Sequence, residues 1–247
     1  MRFEQDIDLG KELQKELELE KNWFEYVDAP NNEIGKDSFR VFIEGIRFSI
    51  DNCVENHPAI ELGVRSGGTS GIILETIFKS SFPKRWLISI DPYGMLSYRS
   101  GMHSAQWSGM TYGNELYRTA LNLLAEYSCK RSLNHLFLKM KDIDYFRFYN
   151  DGIDLYQNSK HVKCNKFSFI HLDAEHSIDA VFEQLKFFIP RSVENTVISI
   201  DDTNFDELSS CKKMIEEYLK ASGFELWLRS HKNKRSNYRK VETNTQS

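Results

Sequence analysis

Two acidic strand ends, 28 residues apart, constrain this chain more than any other feature. Residues 166–204 read KFSFIHLDAEHSIDAVFEQLKFFIPRSVENTVISIDDTN. Lys166–Leu172 is a β-rich apolar run that stops at Asp173, with Glu175 and His176 just beyond it. From Ser177 to Ile189, apolar residues fall at 178, 181, 182, 185, 188 and 189, which is helical spacing. Thr196–Ile200 is a second strand stopping at Asp201 and Asp202. A strand, helix and strand in that span make a parallel crossover. Both strands then end on the same side, and Asp173, Glu175, His176, Asp201 and Asp202 share one rim of a sheet. Open α/β sheets bind their ligands at that rim.

The rest of the chain supplies further units of the same kind. Ala59–Val64 is a short strand followed by Arg65–Gly71, RSGGTSG, and a helix through about Ser80. Small residues there let backbone approach a ligand, and the helix start offers free N–H groups. The spacing fits neither GxGxxG nor a P-loop. Trp86–Ile90 is the next strand, and it ends at Asp91, where Rossmann-like folds commonly bind ribose hydroxyls. Residues 92–113, rich in Gly, Ser, Met and aromatics including Tyr93, Tyr98, Trp107 and Tyr112, are expected to form a lid or binding segment. A helix over 114–130, a strand at His135–Met140 and a helix plus loop over 145–164 follow. Phe205–Ser222 reads as a helix ended by Gly223. Phe224–Arg229 and Asn237–Val241 read as a terminal hairpin whose basic turn, HKNKRS, is expected to be a solvated tip.

At the N-terminus, residues 5–27 look like a polar helix with a thin leucine stripe, broken by Pro30–Gly35. A second helix, capped at Asp37 or Ser38, carries Phe39, Phe42, Ile43, Ile46 and Ile50 on one face. The expected architecture is α/β: a Rossmann-like, doubly wound, mostly parallel seven-stranded sheet with a C-terminal antiparallel hairpin and an N-terminal helical extension. The extension is assigned residues 1–36, the main domain 37–242, and 243–247 a frayed tail.

Charge and cysteine usage narrow the class. A net charge of −4 gives no reason to expect nucleic-acid binding. Four widely spaced cysteines without a CxxC suit free thiols in a reducing compartment, and no apolar run has the length of a membrane span. The expectation is a soluble cytoplasmic protein, with the N-terminal helices as candidate elements of a homo-oligomer interface.

Taken in order, Glu61-Leu-Gly63 with RSGGTSG, Ile90-Asp91-Pro92-Tyr93-Gly94, HLDAEHS and ISIDD resemble class I S-adenosylmethionine-dependent methyltransferases. The nearer similarity is to the metal-dependent O-methyltransferases of the macrolide and aminocoumarin sugar type. The resemblance covers about residues 38–242. It implies that Glu61, Gly63, Ser66, Gly67, Gly68, Thr69 and Ser70 hold the methionine part of S-adenosylmethionine, and that Asp91 takes the ribose. Asp142 would lie by the adenine. Asp173 would line the cofactor site and, with Asp201 and Asp202, ligate a divalent cation such as Mg²⁺. Glu175 matches the position of a general base, with His176 beside it. The acceptor would be a small-molecule hydroxyl, with a sugar or natural product as candidates.

The pattern has departures. Arg191–Asn195 replaces the family's Pro-Gly-Gly turn, Arg65 sits inside the glycine turn, and Glu replaces Asp at 175. The carboxylates also make sense without the resemblance, since three of them on one rim repel unless something positive sits there. Other readings use the same residues. His171-x-Asp173 imitates the facial triad of an iron-dependent oxygenase, although His171, inside its strand, either points away or lies beneath the site. A nucleotide-sugar enzyme could use the acids to hold a metal-bound diphosphate. A binding module could keep the fold without catalysis.

Overall fold

The computed structural model describes residues 4–27, 33–53, 55–94, 114–157, 160–204 and 206–241. Its main sheet is built from β1 (Ala59–Leu62), β2 (Trp86–Ile90), β3 (Asn134–Leu138), β6 (Phe167–Leu172), β7 (Ser192–Ile200), β8 (Phe224–Arg229) and β9 (Ser236–Lys240). The order across the sheet is β3-β2-β1-β6-β7-β9-β8. Every neighbouring pair from β3 to β7 is parallel, and β9 is antiparallel to both β7 and β8. The chain reverses direction across the sheet between β1 and β6, which is the switch point where such sheets open a crevice. The doubly wound sheet and the terminal hairpin are those the sequence led us to expect.

Strand alternation divides the core in two. On one face, Ala59, Leu87, Phe169 and Val197 pack against α2 (Glu33–Asn52), α3 (Gly68–Lys79) and α4 (Asn114–Arg131). On the other, Ile60, Ile88, Ile170 and Ile198 pack against α5 (Asp142–Phe148), α6 (Ile178–Phe188) and α7 (Asp206–Ala221). Ser177 caps α6 by accepting from the Ala180 amide at 3.3 Å. At the other end of α7, Gly223 turns the chain at φ +82°.

Three local expectations are corrected. The first helix, α1 (Glu4–Glu16), ends well short of residue 27. Glu18 takes a left-handed φ of 56°, and the chain folds back so that Leu17, Leu19, Trp23 and Phe24 enter the core beside Ile72 and Ile73. A short 3-10 turn, Trp23–Tyr26, lies on the start of α3. Second, α2 begins at Glu33, so Asp37 and Ser38 lie inside it and cap nothing. Third, residues 153–164 form an antiparallel pair, β4 (Ile153–Gln157) with β5 (Lys160–Cys164). Ile153 and Leu155 are buried while Asp154 and Tyr156 face out, a strand period too short for us to have read from sequence. Residues 95–113 and 242–247, including most of the expected lid and the tail, lie outside the described residues.

Candidate active site at the carboxyl rim of the sheet

The rim is laid out by hydrogen bonds that continue the sheet one residue past its strands. The Asp91 amide donates to the Leu138 carbonyl, Gly63 to Ile90, Asp173 to Leu62 and Asp201 to Leu172, at 2.9–3.2 Å. Asp91, Gly63, Asp173 and Asp201 therefore stand side by side across four neighbouring strands.

Gly63 is the tightest point of this row. Its φ is +89°, and a Cβ there would overlap the carbonyl oxygen of Asp173. Glycine is required for both reasons. The turn that follows holds Asp91 rather than merely facing it. Asp91 Oδ2 accepts from the amides of Val64 at 2.9 Å and Arg65 at 3.0 Å, and Oδ1 accepts from Tyr93 at 3.1 Å. A carboxylate offers roughly four acceptor positions, so one lone-pair direction is left for a ligand. Burial raises the Asp91 pKa, against the pull of the three amides. The Tyr93 hydroxyl donates to the Arg65 carbonyl, closing the turn over the acid.

The small residues of RSGGTSG serve the protein's own packing. Gly67 caps α3 at φ +88°. A Cβ on Gly68 would meet Val27 and the backbone of Trp23 and Tyr26, and one on Gly71 would overlap the Trp23 ring. Glu75 completes the contact. It is buried and accepts from the amides of Glu20 and Lys21 and from Trp23 Nε1 at 2.8 Å. Ser66 is half-buried and Thr69 buried in the same turn. Asp142 opens α5, where its Oδ1 accepts from the Ile143 amide and its Oδ2 from Gln184 on α6, both at 2.8 Å.

Beneath the rim runs a polar row that the strand-by-strand reading missed. Ser89, Glu61, His171, Ser199 and Asn237 are in register across β2, β1, β6, β7 and β9, and all are wholly buried. The sequence did carry a signal, for Ser89, Glu61, His171 and Ser199 are each the last residue but one of their strands, set between apolar neighbours. Ser70 donates to Glu61 Oε2 and lies 3.1 Å from Ser89 Oγ. His171 Nδ1 is 3.1 Å from Glu61 Oε1, and His171 Nε2 is 2.7 Å from Arg235 Nη1. A guanidinium only donates, so Nε2 accepts and the ring proton sits on Nδ1, given to Glu61. Glu61 and His171 thus have their polar atoms engaged inside the protein.

Arg235 is the second residue the sequence reading missed. It belongs to the basic turn expected to be a solvated tip, yet it is 1% exposed. Besides His171, it donates to Asp201 Oδ2 at 2.7 Å and to Ser38 Oγ at 3.2 Å. Its neighbour Lys234 lies 3.9 Å from Asp202 and accepts the Thr203 amide at 3.0 Å. The tip of the turn, His231 and Lys232, is exposed as expected, while its second half folds back under the acids.

The acids themselves converge. His176 stands between Asp173 (Nε2 to Oδ1, 3.5 Å) and Asp202 (Nδ1 to Oδ2, 3.7 Å). Burial works against a charged ring there, but the Asp173 carboxylate, with Asp202 and Asp201 behind it, pushes the His176 pKa up to about 9. Burial and the neighbouring Asp201 push Asp202 up to about 7. Asp202 also holds a left-handed φ of 51°, a conformation kept only where the surroundings enforce it. Glu175 is exposed and accepts from Ser177 Oγ at 3.1 Å. Of the two residues flagged for proton transfer, His176 is the one within the acid cluster.

Donor atoms suited to a metal ion lie within 4.8 Å of one another in two sets, Asp173–His176–Asp202 and His171–Asp173–Asp201. In the second set the His171 nitrogens are already engaged. Asp201 Oδ1, by contrast, is buried with no hydrogen-bond partner among the described residues. Asp173 is common to both sets, and neither contains Asp201 and Asp202 together. A buried orphan oxygen on the carboxylate that joins Asp173 in the second set fits a hard cation, which takes oxygen ligands.

No family model and no curated protein match the chain. Solved structures do. CalS11, a calicheamicin methyltransferase, superimposes with a TM-score of 0.57 at 11% identity, over 98% of this chain and 95% of that one. TomG from Streptomyces achromogenes, an O-methyltransferase of tomaymycin synthesis solved with S-adenosylmethionine, gives 0.51 at 11% identity over 98% and 92%. The O-methyltransferase NovP gives 0.51 at 14% identity over 82% and 80%. At such identities the likeness is one of architecture, and the chain has the fold of the class I O-methyltransferases.

Proposed function

We propose that the protein is an S-adenosylmethionine-dependent methyltransferase that acts on a hydroxyl of a small molecule, with a divalent cation at its acidic rim. The observation that carries this reading is the abutment of Gly63 and Asp173. It puts the turn suited to the methyl donor directly against the acids suited to the acceptor. The donor half would comprise the Gly63–Ser70 turn, the remaining acceptor position of Asp91, and the Asp142 side for adenine. Glu61 would act from beneath, setting the turn through Ser70. CalS11, one of the similar structures, is a TDP-rhamnose 3'-O-methyltransferase, which makes a sugar hydroxyl a natural first acceptor to try.

Asp173, Asp202 and the free Oδ1 of Asp201 are the residues that would hold Mg²⁺. When bound, such an ion supplies Lewis acidity that makes a hydroxyl easier to deprotonate. With a cation offsetting the carboxylates that hold a proton on its ring, His176 would be free to accept the hydroxyl proton. Holding donor and acceptor aligned over adjoining strand ends would supply much of the acceleration.

The oxygenase reading is weaker, since both ring nitrogens of His171 are committed to Glu61 and Arg235. Calorimetric titration separates the readings. S-adenosylhomocysteine should bind with 1:1 stoichiometry, and Asp91→Ala should weaken it. Binding of a nucleotide sugar, or of 2-oxoglutarate with iron, in place of S-adenosylhomocysteine would overturn the proposal.

A further inference from the structure

We propose that Arg235 is a positioning residue of the acidic rim: a resident counter-charge that holds Asp201 by one oxygen and sets how tightly the rim takes a divalent cation. The inference rests on reading that rim as a cation site.

The guanidinium is fixed on every side. Nη2 binds Asp201 Oδ2, Nη1 binds His171 Nε2, Nε binds Ser38 Oγ, and the ring of Phe42 lies 4.4 Å from its centre. A buried arginine–carboxylate pair is no general route to stability, since apolar residues of similar volume often do as well or better. Its local consequences are specific. With Oδ2 held by the guanidinium, Asp201 most readily offers an incoming ion Oδ1, the buried oxygen without a partner among the described residues. With Nε2 taken, His171 is withheld from the ligand set although it lies beside Asp173 and Asp201. A fixed positive charge 2.7 Å from one carboxylate also answers the repulsion expected among the three acids, without any bound ion. Through His171 the same residue reaches Glu61, so the two halves of the rim share one buried support.

A fixed guanidinium opposes a second cation at the same carboxylate. Neutralising it should therefore tighten divalent-ion binding, whereas a purely structural tie would loosen binding when cut. Manganese affinity, followed by the paramagnetic resonance of free Mn²⁺ in the presence of S-adenosylhomocysteine, reads that sign. Arg235→Gln should bind Mn²⁺ at least ~10-fold more tightly. Arg235→Lys, which keeps the charge, should stay close to wild type. Weaker or unchanged binding in Arg235→Gln, with S-adenosylhomocysteine affinity retained, would overturn the inference and leave the methyltransferase reading standing. Wild-type protein that binds S-adenosylhomocysteine but no Mn²⁺ would remove the cation site, and this inference with it.

A measurement on wild-type protein covers the case in which Arg235→Gln does not fold. Binding alone makes added Mn²⁺ raise the thermal midpoint, but since the counter-charge is built in, protein stripped of metal with EDTA should still unfold in one cooperative transition. Loss of that cooperative transition in metal-free protein would mean that the acids depend on a bound ion for charge balance, and would contradict the assignment.

Discussion

Gly63 and Asp173 touch backbone to backbone, at the place where strands β1 and β6 leave the sheet. No side chain fits between them, and the left-handed φ of Gly63 adds a second reason against one. Gly63→Ala should cost about 3 kcal/mol or more of folding stability, combining strain with displacement of the Asp173 carbonyl. Gly94→Ala, where a Cβ would meet nothing within 4 Å among the described residues, is the control and should stay within about 0.5 kcal/mol of wild type. Denaturant unfolding of the two variants checks this.

The N-terminal segment is a structural part of the turn it covers. Trp23 is wholly buried, seated against Gly71 and bonded to Glu75. Trp23→Ala should destabilise the protein by about 3–5 kcal/mol. Limited proteolysis should then cut first within residues 17–27. An unchanged unfolding midpoint would show that the segment is not anchored there.

Loss of solvent around its ring pushes the pKa of His135 down to about 4. The unfolded chain holds a proton on this ring below about pH 6.5, while the folded protein does not until about pH 4. Protons then favour the unfolded state in that window, so this contribution to stability is present above pH 6.5 and is lost as pH falls toward 4. His135→Gln lacks the ionisation. The stability of wild type relative to His135→Gln should therefore fall between pH 7 and pH 4.5. A difference independent of pH would contradict the desolvation of this half-buried ring.

Thiol chemistry tests the burial pattern. None of the four cysteines is in a disulfide, and burial raises the pKa of both Cys53 and Cys164. The exposed Cys129 should react with a disulfide reagent first. Cys53 and Cys164 should react only on unfolding. Rapid modification of Cys53 in native protein would be inconsistent with its place between α2 and β7.

Much of this could be read from the chain, and the reasons are local. Asp91, Asp173, Asp201 and Asp202 each follow an apolar strand, and parallel connection carries such residues to one edge. The rim was legible for that reason. Arg235 was not, because its role depends on a turn folding back across the sheet, which nothing in HKNKRS specifies. The small residues of RSGGTSG were legible as a close approach, but not as one made partly by Trp23 and Tyr26 from the chain's own N-terminus. Glu61 read as a ligand because a buried acid needs a partner. The partners turned out to be Ser70 and His171, at the matching penultimate positions and turn that a comparison between strands would have exposed.

The proposed function sets donor and cation sites against each other across Gly63 and Asp173. It is tested most directly by diffraction from crystals of the full chain soaked with S-adenosylhomocysteine and Mn²⁺, collected at a wavelength where manganese scatters anomalously. S-adenosylhomocysteine should lie between Gly63 and Asp91, with an anomalous peak beside Asp173, Asp202 and Asp201 Oδ1. S-adenosylhomocysteine bound elsewhere, or a manganese peak away from those three carboxylates, would contradict it.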